Sequence, residues 1–398
     1  MPKVLTINGG SSSIRFALYD AGDVATKLLG GKIDRIGLPG CAMSVDEMQH
    51  GAASRTETPV DAADHRSAAV FLLDHLGAQP WFAAVHAVGH RIVHGMQHSS
   101  PERVTPGLLA ELRRIVPYDP EHLPREIELI ETICRMHPGL EQVACFDTAF
   151  HRTMPRVATV LPIPRRYESN GVQRYGFHGL SYTYLMAELG RIGDPAAARG
   201  RVILAHLGNG ASLAAVRDGR CIDTSMGFTP TSGLVMSTRS GDLDPGVMSF
   251  LALTETMDAA AFQRMVTHAS GLLGVSETSS DIRDLLAREA KDARAAEAVA
   301  LFCYQIKKWI GAFAAALGGV DTLVFAGGIG ENAVAVRARI CEGLQYLGIH
   351  LDEARNAHSA ALVSADSGSV AVRVIRTDEE FVIAGATVRL LQMNPEES

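Results

Sequence analysis

Apolar and polar positions alternate along this chain with two different periods, and the switches between them lay out its elements. Val4–Ile7 and Ile14–Tyr19 are apolar runs joined by the Gly-rich polar stretch Asn8–Ser13, the pattern of a tight β-hairpin. Strands are predicted next near Lys27–Ile33 and Ala42–Val45. The spacing turns helical over Asp61–Leu76, where Ala62, Val70, Leu73 and Leu76 are among the apolar positions. A strand over Ala84–Val93 precedes helices near Gly107–Ile115 and Pro124–Met136, followed by a strand over Gln142–Phe146. A Pro-rich link, Pro155 to Pro164, opens the second half, and a helix follows His178. A second hairpin, helices near Pro245–Thr254, Ala259–His268 and Asp281–Ala287, and a long helix over Ala293–Ala316 come next. Strand Thr322–Phe325, a helix after Asn332, strand Val370–Ile375 and a helix from Asp378 close the chain.

The second hairpin repeats the first. Val202–Leu207 runs through Gly208-Asn209-Gly210 into Ala211–Arg217, then Asp218-Gly219. A shift of 198 residues sets Val4 on Val202, Asn8 on His206, Gly10 on Gly208 and Asp20 on Asp218. Glycines let a backbone fold closely around a ligand, and successive N–H groups in such a turn cradle an anion. The repeat suggests two related domains gripping a polyphosphate from both sides; two unrelated hairpins sharing turn residues are the alternative. A third glycine cluster, Gly327-Gly328-Ile329-Gly330-Glu331-Asn332, follows the late strand. A strand running into glycines and a helix sets backbone N–H groups at a ligand, although a plain strand-to-helix turn looks similar. Neither a G-x-x-x-x-G-K-[ST] loop nor a complete G-x-G-x-x-G is present, which weakens P-loop and Rossmann readings.

Length and composition narrow the class. At 398 residues the chain exceeds one ordinary core, so two domains are expected, and strands leading each half with helices trailing indicate α/β layers. The net charge of −7 and the lack of a long basic run argue against nucleic acid as a partner. Six cysteines (Cys41, Cys134, Cys145, Cys221, Cys303, Cys341) stand far apart with no C-x-x-C pair, which suits a reducing compartment rather than zinc or disulfides. No charged-then-apolar leader and no 18-residue apolar run occur, so a cytoplasmic protein without membrane contact is expected. His86, His90, His94 and His98 recur every fourth residue, a metal-binding face if helical. The surrounding glycines and valines favour a strand and loop, where four residues span about 13 Å, too far for chelation.

A set of ordered phrases then identifies a resemblance. They are N-G-G-S-S-S at Asn8–Ser13, G-H-R-I-V-H-G at Gly89–Gly95, F-D-T-A-F-H at Phe146–His151, R-Y-G-F-H-G at Arg174–Gly179 and H-L-G-N-G-A-S at His206–Ser212. S-M-G-F-T-P at Ser225–Pro230, T-R-S-G-D-L-D-P-G at Thr238–Gly246, S-S-D-I-R-D-L at Ser279–Leu285, G-G-I-G-E-N at Gly327–Asn332 and T-D-E-E at Thr377–Glu380 complete the series. Over essentially its whole length the chain resembles the acetate kinase family, within the acetate and sugar kinase, Hsp70 and actin superfamily. The resemblance implies two duplicated RNase H-like (actin-like ATPase) α/β domains with an active-site cleft between them. One would cover residues 1–150 plus a C-terminal helix 385–398, the other 151–384.

The implied activity is reversible Mg²⁺-dependent phosphoryl transfer between ATP and acetate. A carboxylate is already ionised at neutral pH, so the nucleophile needs no base. The difficulty is bringing an anion against a polyanion and stabilising charge in flight, which calls for Arg, His, backbone N–H and Mg²⁺. The resemblance gives Arg91 the substrate carboxylate, Arg239 and His178 the transferring phosphoryl, and Asp147 an acid/base or orienting role, of which orientation suits a nucleophile that needs no deprotonation. Arg15, Val93, Phe177 and Pro230 would meet the substrate; His206, Leu207, Gly208, Asn209 and Gly210 would lie under the phosphates. Asp281, Ile282 and Arg283 would sit beside the adenosine, with Gly328, Ile329, Gly330, Glu331 and Asn332 closing over the nucleotide. Asn8 and Glu379 would associate with Mg²⁺, for which Mn²⁺ could substitute, and the assembly would be a homodimer. Taken alone, Asp281 with Arg283 reads rather as a helix cap and a first-turn charge, and His178 as a capping or core histidine, while an N-cap is the alternative for Asp147.

Departures from the family pattern bear on specificity. Arg15 stands where the family usually has Lys, Tyr182 where His is common, and Thr231-Ser232 replaces a Leu-Glu pair. The usual A-P-L-H-N-P phrase reads Asp119-Pro120-Glu121-His122-Leu123-Pro124. Glu121 thus occupies an apolar acyl-pocket place, and is expected to turn away while Leu123 fills the space and Arg125 or His122 neutralises it. Propionate kinase is the near alternative. A sugar kinase or a non-catalytic actin-like ATPase is remote: the first is expected to show acidic and amide hydroxyl-binding residues in place of Arg91 with an apolar pocket, and a chaperone of the superfamily an appended peptide-binding domain.

Overall fold

In the computed structural model, residues 2–10, 13–24, 26–49, 52–192 and 199–393 are described. Ser11 and Ser12 of the first glycine turn, and 394–398 of the expected C-terminal helix, lie outside them. The chain divides into two compact units, Met1–Ala149 with Asp378–Ser398, and Phe150–Thr377. The returning segment therefore begins at Asp378, ahead of the expected 385. Asp378 caps one uninterrupted helix, Glu379–Leu391, accepting from Phe381 N–H, and a single helix is not shared between two cores.

The first unit is built on an eight-stranded sheet. Its strands are β1 (Lys3–Gly9), β2 (Ser13–Asp20), β3 (Lys27–Asp34), β4 (Ala42–Gln49), β5 (Ala52–Pro59), β6 (Val85–Ile92), β7 (Glu102–Arg103) and β8 (Glu141–Phe146), in the order β5-β4-β3-β2-β1-β6-β8-β7. β1 to β5 form an antiparallel meander, while β1, β6 and β8 run parallel. Side chains alternate across β1: Leu5 and Ile7 join a core with helices His65–Gly77 and Leu123–Met136, and Val4 joins Ala384 and Val388 of helix Glu379–Leu391. Both faces are covered, so the parallel strands read as continuous apolar runs.

The second unit carries five strands, β9 (Arg201–Leu207), β10 (Ala211–Arg217), β11 (Arg220–Thr224), β12 (Thr322–Ala326) and β13 (Ala371–Val374), in the order β11-β10-β9-β12-β13. β9 to β11 are antiparallel, with Asp218 and Gly219 at positive φ in a two-residue turn; β9, β12 and β13 are parallel. This order and these directions match β3-β2-β1-β6-β8 of the first unit. The sequence repeat is thus an architectural one. Helix Gly179–Arg191 covers one face through Tyr182, Leu185 and Leu189, and helix Ala293–Leu317 packs on β9 to β11 from the other.

Candidate active site

In the first unit the parallel strands end together, with Ile92 in register with Phe146. Ligands of α/β sheets gather at this carboxyl edge. Arg91, on β6, donates from Nε (2.9 Å) and Nη2 (2.6 Å) to Asp147 Oδ2, just past β8. Asp147 is fully buried, and Arg91 largely so. Asp147 is therefore an ion-pair partner of Arg91. Burial alone would discourage the Arg91 charge, but Asp147 and Glu379 outweigh it and hold the guanidinium firmly ionised. Asn8 Nδ2 donates to Glu379 Oε2 (3.0 Å), and Glu379 also lies 4.0 Å from Arg91 Nε. Arg15 pairs with Asn8 across β1 and β2, and so shares its face of the sheet. Val93 is buried just beyond β6.

In the second unit β9 and β12 also end side by side, Ala326 in register with His206, which brings two glycine turns to one edge. Gly327 has φ +74°, and a Cβ there would lie 2.6 Å from the Leu207 carbonyl oxygen, so only glycine lets these strand ends approach. The phrase Gly327–Asn332 is itself a short helix, not merely the approach to one. Glu331 caps it from within, accepting from Gly327 N–H at 3.0 Å, and Asn332 Nδ2 donates to the Gly328 carbonyl. Ile329 and Gly330 are buried, Gly330 against Phe325.

His178 precedes helix Gly179–Arg191 at φ 60°, without a capping hydrogen bond from its side chain. Its Nδ1 lies 2.9 Å from Ser212 Oγ, which in turn lies 2.5 Å from Tyr182 Oη. Its ring stands 4.4 Å from that of His206, centre to centre. A Cβ on Gly210 would meet His178 Nε2 at 3.2 Å and Arg239 Nη1 at 3.7 Å, so these groups converge on the second hairpin turn. Arg239 Nη1 donates to the Pro230 carbonyl (3.2 Å), and Ser237 N–H to that of Asn209. Phe177 is buried, its carbonyl accepting from His151 Nε2 at 2.9 Å. Because that contact requires the proton on Nε2, His151 Nδ1 must accept, and Cys221 Sγ lies 3.2 Å away to donate. Burial lowers His151 to about 4 and pushes the Cys221 thiol up, which fixes both as neutral partners.

Other expected residues lie on further elements. Asp281 caps helix Ile282–Arg288, accepting from Arg283 N–H, and pairs with the exposed Arg283 guanidinium at 2.5 Å, while Ile282 faces the core. His122 is bound to Asp119 at 2.8 Å, not reserved for Glu121; Leu123 fills a core with Ile92 and Phe146, and Glu121 is half-buried in the turn. His86 and His90 lie on β6, with His94 and His98 beyond it. His90 Nε2 donates to Gln142, and His98 meets Glu102. The sequence reading missed Glu126, His151, Ser212 and Arg337 as supports. Glu126 had a signal, since a carboxylate interrupts the apolar stripe of helix Leu123–Met136.

Comparison with known proteins settles the class. The profile of the acetokinase family matches residues 3–385. A propionate kinase of Citrobacter rodentium is 42% identical over 395 residues, covering 98% of this chain and 96% of its own. An acetate kinase of Rhodopseudomonas palustris is 42% identical over 397 residues, covering 97% and 98%. The crystal structure of Porphyromonas gingivalis acetate kinase superposes with TM-score 0.86 at 37% identity, covering 98% of this chain and 100% of that one. That of a Francisella tularensis propionate kinase does so with TM-score 0.91 at 32% identity and the same coverage. This chain belongs to the acetokinase family, whose members are kinases using ATP as co-substrate. No helix among the described residues is long and apolar enough to cross a membrane.

Proposed function

We propose that this enzyme moves a phosphoryl group reversibly between ATP and acetate, giving acetyl phosphate and ADP. The observation that carries the reading is Arg91, a largely buried guanidinium at the carboxyl end of β6, oriented through two donors by Asp147. Planar, bidentate and permanently charged, it suits a carboxylate. One substrate oxygen attacks the γ-phosphorus as the bond to the bridging β,γ-oxygen breaks, and no proton moves. Arg239 and His178, beside the Gly208–Gly210 turn, stabilise the equatorial oxygens, while the glycine turns and Asp281–Arg283 hold the nucleotide. Val93, Phe177 and Pro230 line the acyl end and Arg15 adds positive charge. Propionate is the second reading, because relatives named for acetate and for propionate are equally similar.

Arg91 faces two carboxylates, Asp147 and Glu379, so this edge is short of positive charge for an anionic substrate. The hard oxygens of Asn8 and Glu379 fit Mg²⁺, or Mn²⁺, better than a softer ion. When bound, Mg²⁺ would neutralise phosphate charge. A cytoplasmic homodimer completes the proposal, and the apolar residues exposed on helix Gly246–Thr254 support the dimer.

The test is acyl-phosphate formation from acetate, propionate and butyrate with ATP or pyrophosphate as donor. Acetate with ATP should give the highest kcat/KM. No acyl phosphate from any acid, or turnover with pyrophosphate alone, would overturn the proposal.

A further inference from the structure

Glu126 lies on helix Leu123–Met136, almost wholly buried, with both carboxyl oxygens 3.1 Å from Val93 N–H. Val93 follows the strand end that carries Arg91, two residues before it. A buried backbone N–H at a strand end needs an acceptor, and here one long side chain supplies it. We propose that Glu126 is a positioning residue for the carboxylate substrate, clamping Val93 so that the pocket wall and Arg91 hold a single geometry. This rests on the reading of Arg91 and Val93 as substrate residues.

The surroundings favour the clamp as an uncharged acid. The charged groups around Glu126 are Asp119 in the turn before its own helix, Arg91 on β6 and Asp147 beyond β8. His94 and His122 are set about Asp119. Arg91 is bound to Asp147, and His122 to Asp119 at 2.8 Å, and no salt bridge to Glu126 is formed among the described residues. Asp119 Oδ2 is itself buried without a hydrogen-bond partner, which adds negative potential nearby. Burial first, then Asp119, push the Glu126 carboxyl well above the usual range, with Arg91 and the Val93 hydrogen bond pulling only partly back. A protonated acid still accepts from Val93 through its carbonyl oxygen. Ionisation would set an anion beside the place where a carboxylate substrate binds, and weaken that binding.

The experiment measures KM for acetate, KM for ATP and kcat from pH 6 to 9.5 in wild type, Glu126→Gln, Glu126→Ala and Arg91→Ala. Glu126→Ala should raise the acetate KM about tenfold, with kcat and the ATP KM within about twofold, because a buried N–H loses its acceptor. Glu126→Gln, an uncharged acceptor of the same shape, should restore the wild-type KM at neutral pH. In wild type the acetate KM should climb toward alkaline pH, and in Glu126→Gln that climb should disappear. An unchanged KM in Glu126→Ala, a loss in Glu126→Gln as large as in Glu126→Ala, or an alkaline climb surviving in Glu126→Gln overturns the proposal. Arg91→Ala separates the premise: an unchanged acetate KM there removes Arg91 from the substrate and the proposal with it. If Arg91→Ala loses acetate while Glu126→Ala does not, the Glu126 role alone falls. Should Glu126→Ala fail to fold, the pH comparison of wild type with Glu126→Gln decides.

Discussion

At the scale of single residues, the first unit stakes much on a buried ion pair. Removing one partner of such a pair strands the other charge, at a typical cost of about 3 kcal/mol or more. Arg91→Ala should therefore lower the melting temperature as well as kcat/KM, the latter by about 100-fold or more, as expected for losing a preorganised donor. Asp147→Asn added to Arg91→Ala should recover stability without recovering activity. Differential scanning fluorimetry beside steady-state kinetics checks both; full stability in Arg91→Ala alone would refute the stranded-charge argument. Glu126 gives a prediction of opposite sign. Its folded pKa is raised, so its share of stability is intact below the unfolded carboxyl range and is lost as pH climbs toward the folded value. Across that window each pH unit costs about 1.4 kcal/mol. Glu126→Gln escapes this loss, and should melt above wild type at pH 8 with no such advantage at pH 4. Equal shifts at the two pH values would count against a proton held on Glu126.

At the scale of elements, what the sequence makes legible depends on whether a local rule carries the signal. The two hairpins stand out because apolar runs meet glycine turns, and helix Ala293–Leu317 because its apolar period persists for seven turns. β5 was missed: Ala52–Pro59 is nearly all small or polar, and its strand character comes from pairing with β4. The supports of the candidate site were hidden for a similar reason. Nothing around Arg337 announces that it is fully buried, yet all five of its N–H groups meet neutral oxygens. They go to the Gly330 and Glu331 carbonyls, to the Asn356 side chain and carbonyl, and to Ser359 Oγ. Arg337 thus pins the last turn of helix Gly327–Asn332 from beneath, where a cation suits the carbonyl end of a helix. Arg337→Met should destabilise the protein by about 2 kcal/mol or more, since several buried carbonyls lose donors. It should also raise the KM for ATP more than that for acetate. Urea denaturation and the two KM values test this, and a larger effect on acetate would detach Arg337 from the nucleotide side.

At the scale of the whole molecule, the repeated five-strand order explains why related glycine turns recur half a chain apart. The first unit is also discontinuous: helix Glu379–Leu391 returns to pack on β1 and β6. The fit is close, since a Cβ on Gly89 would stand 2.4 Å from Thr387 Oγ1 and 2.5 Å from Ile383 Cγ2. Deleting residues from 378 onward should therefore unfold the first unit and remove Glu379 together, because the sheet loses one covered face. Loss of carboxylate turnover with an unchanged melting profile would contradict that account.

Helix Gly246–Thr254 makes the last argument. Its sequence, Gly-Val-Met-Ser-Phe-Leu-Ala-Leu-Thr, is that of a core helix, yet none of its residues is buried. Phe250 is 63% exposed and Leu253 87%, with Leu243 and Met248 exposed nearby. Contiguous apolar surface of this kind marks an interface, and burying it returns about 25 cal/mol for each Å² removed from water. A second copy of the same chain is the simplest occupant, for a helix can pack on its own image across a two-fold axis. The double substitution Phe250→Asp with Leu253→Asp places like charges at that axis. It should convert a dimer into a monomer by light scattering, and abolish the rise of melting temperature with protein concentration that mass action imposes on a dimer. Because the substituted side chains point to solvent in one copy, the monomer's circular dichroism should be unchanged. A variant that keeps the wild-type mass would show that this face is not where two copies meet.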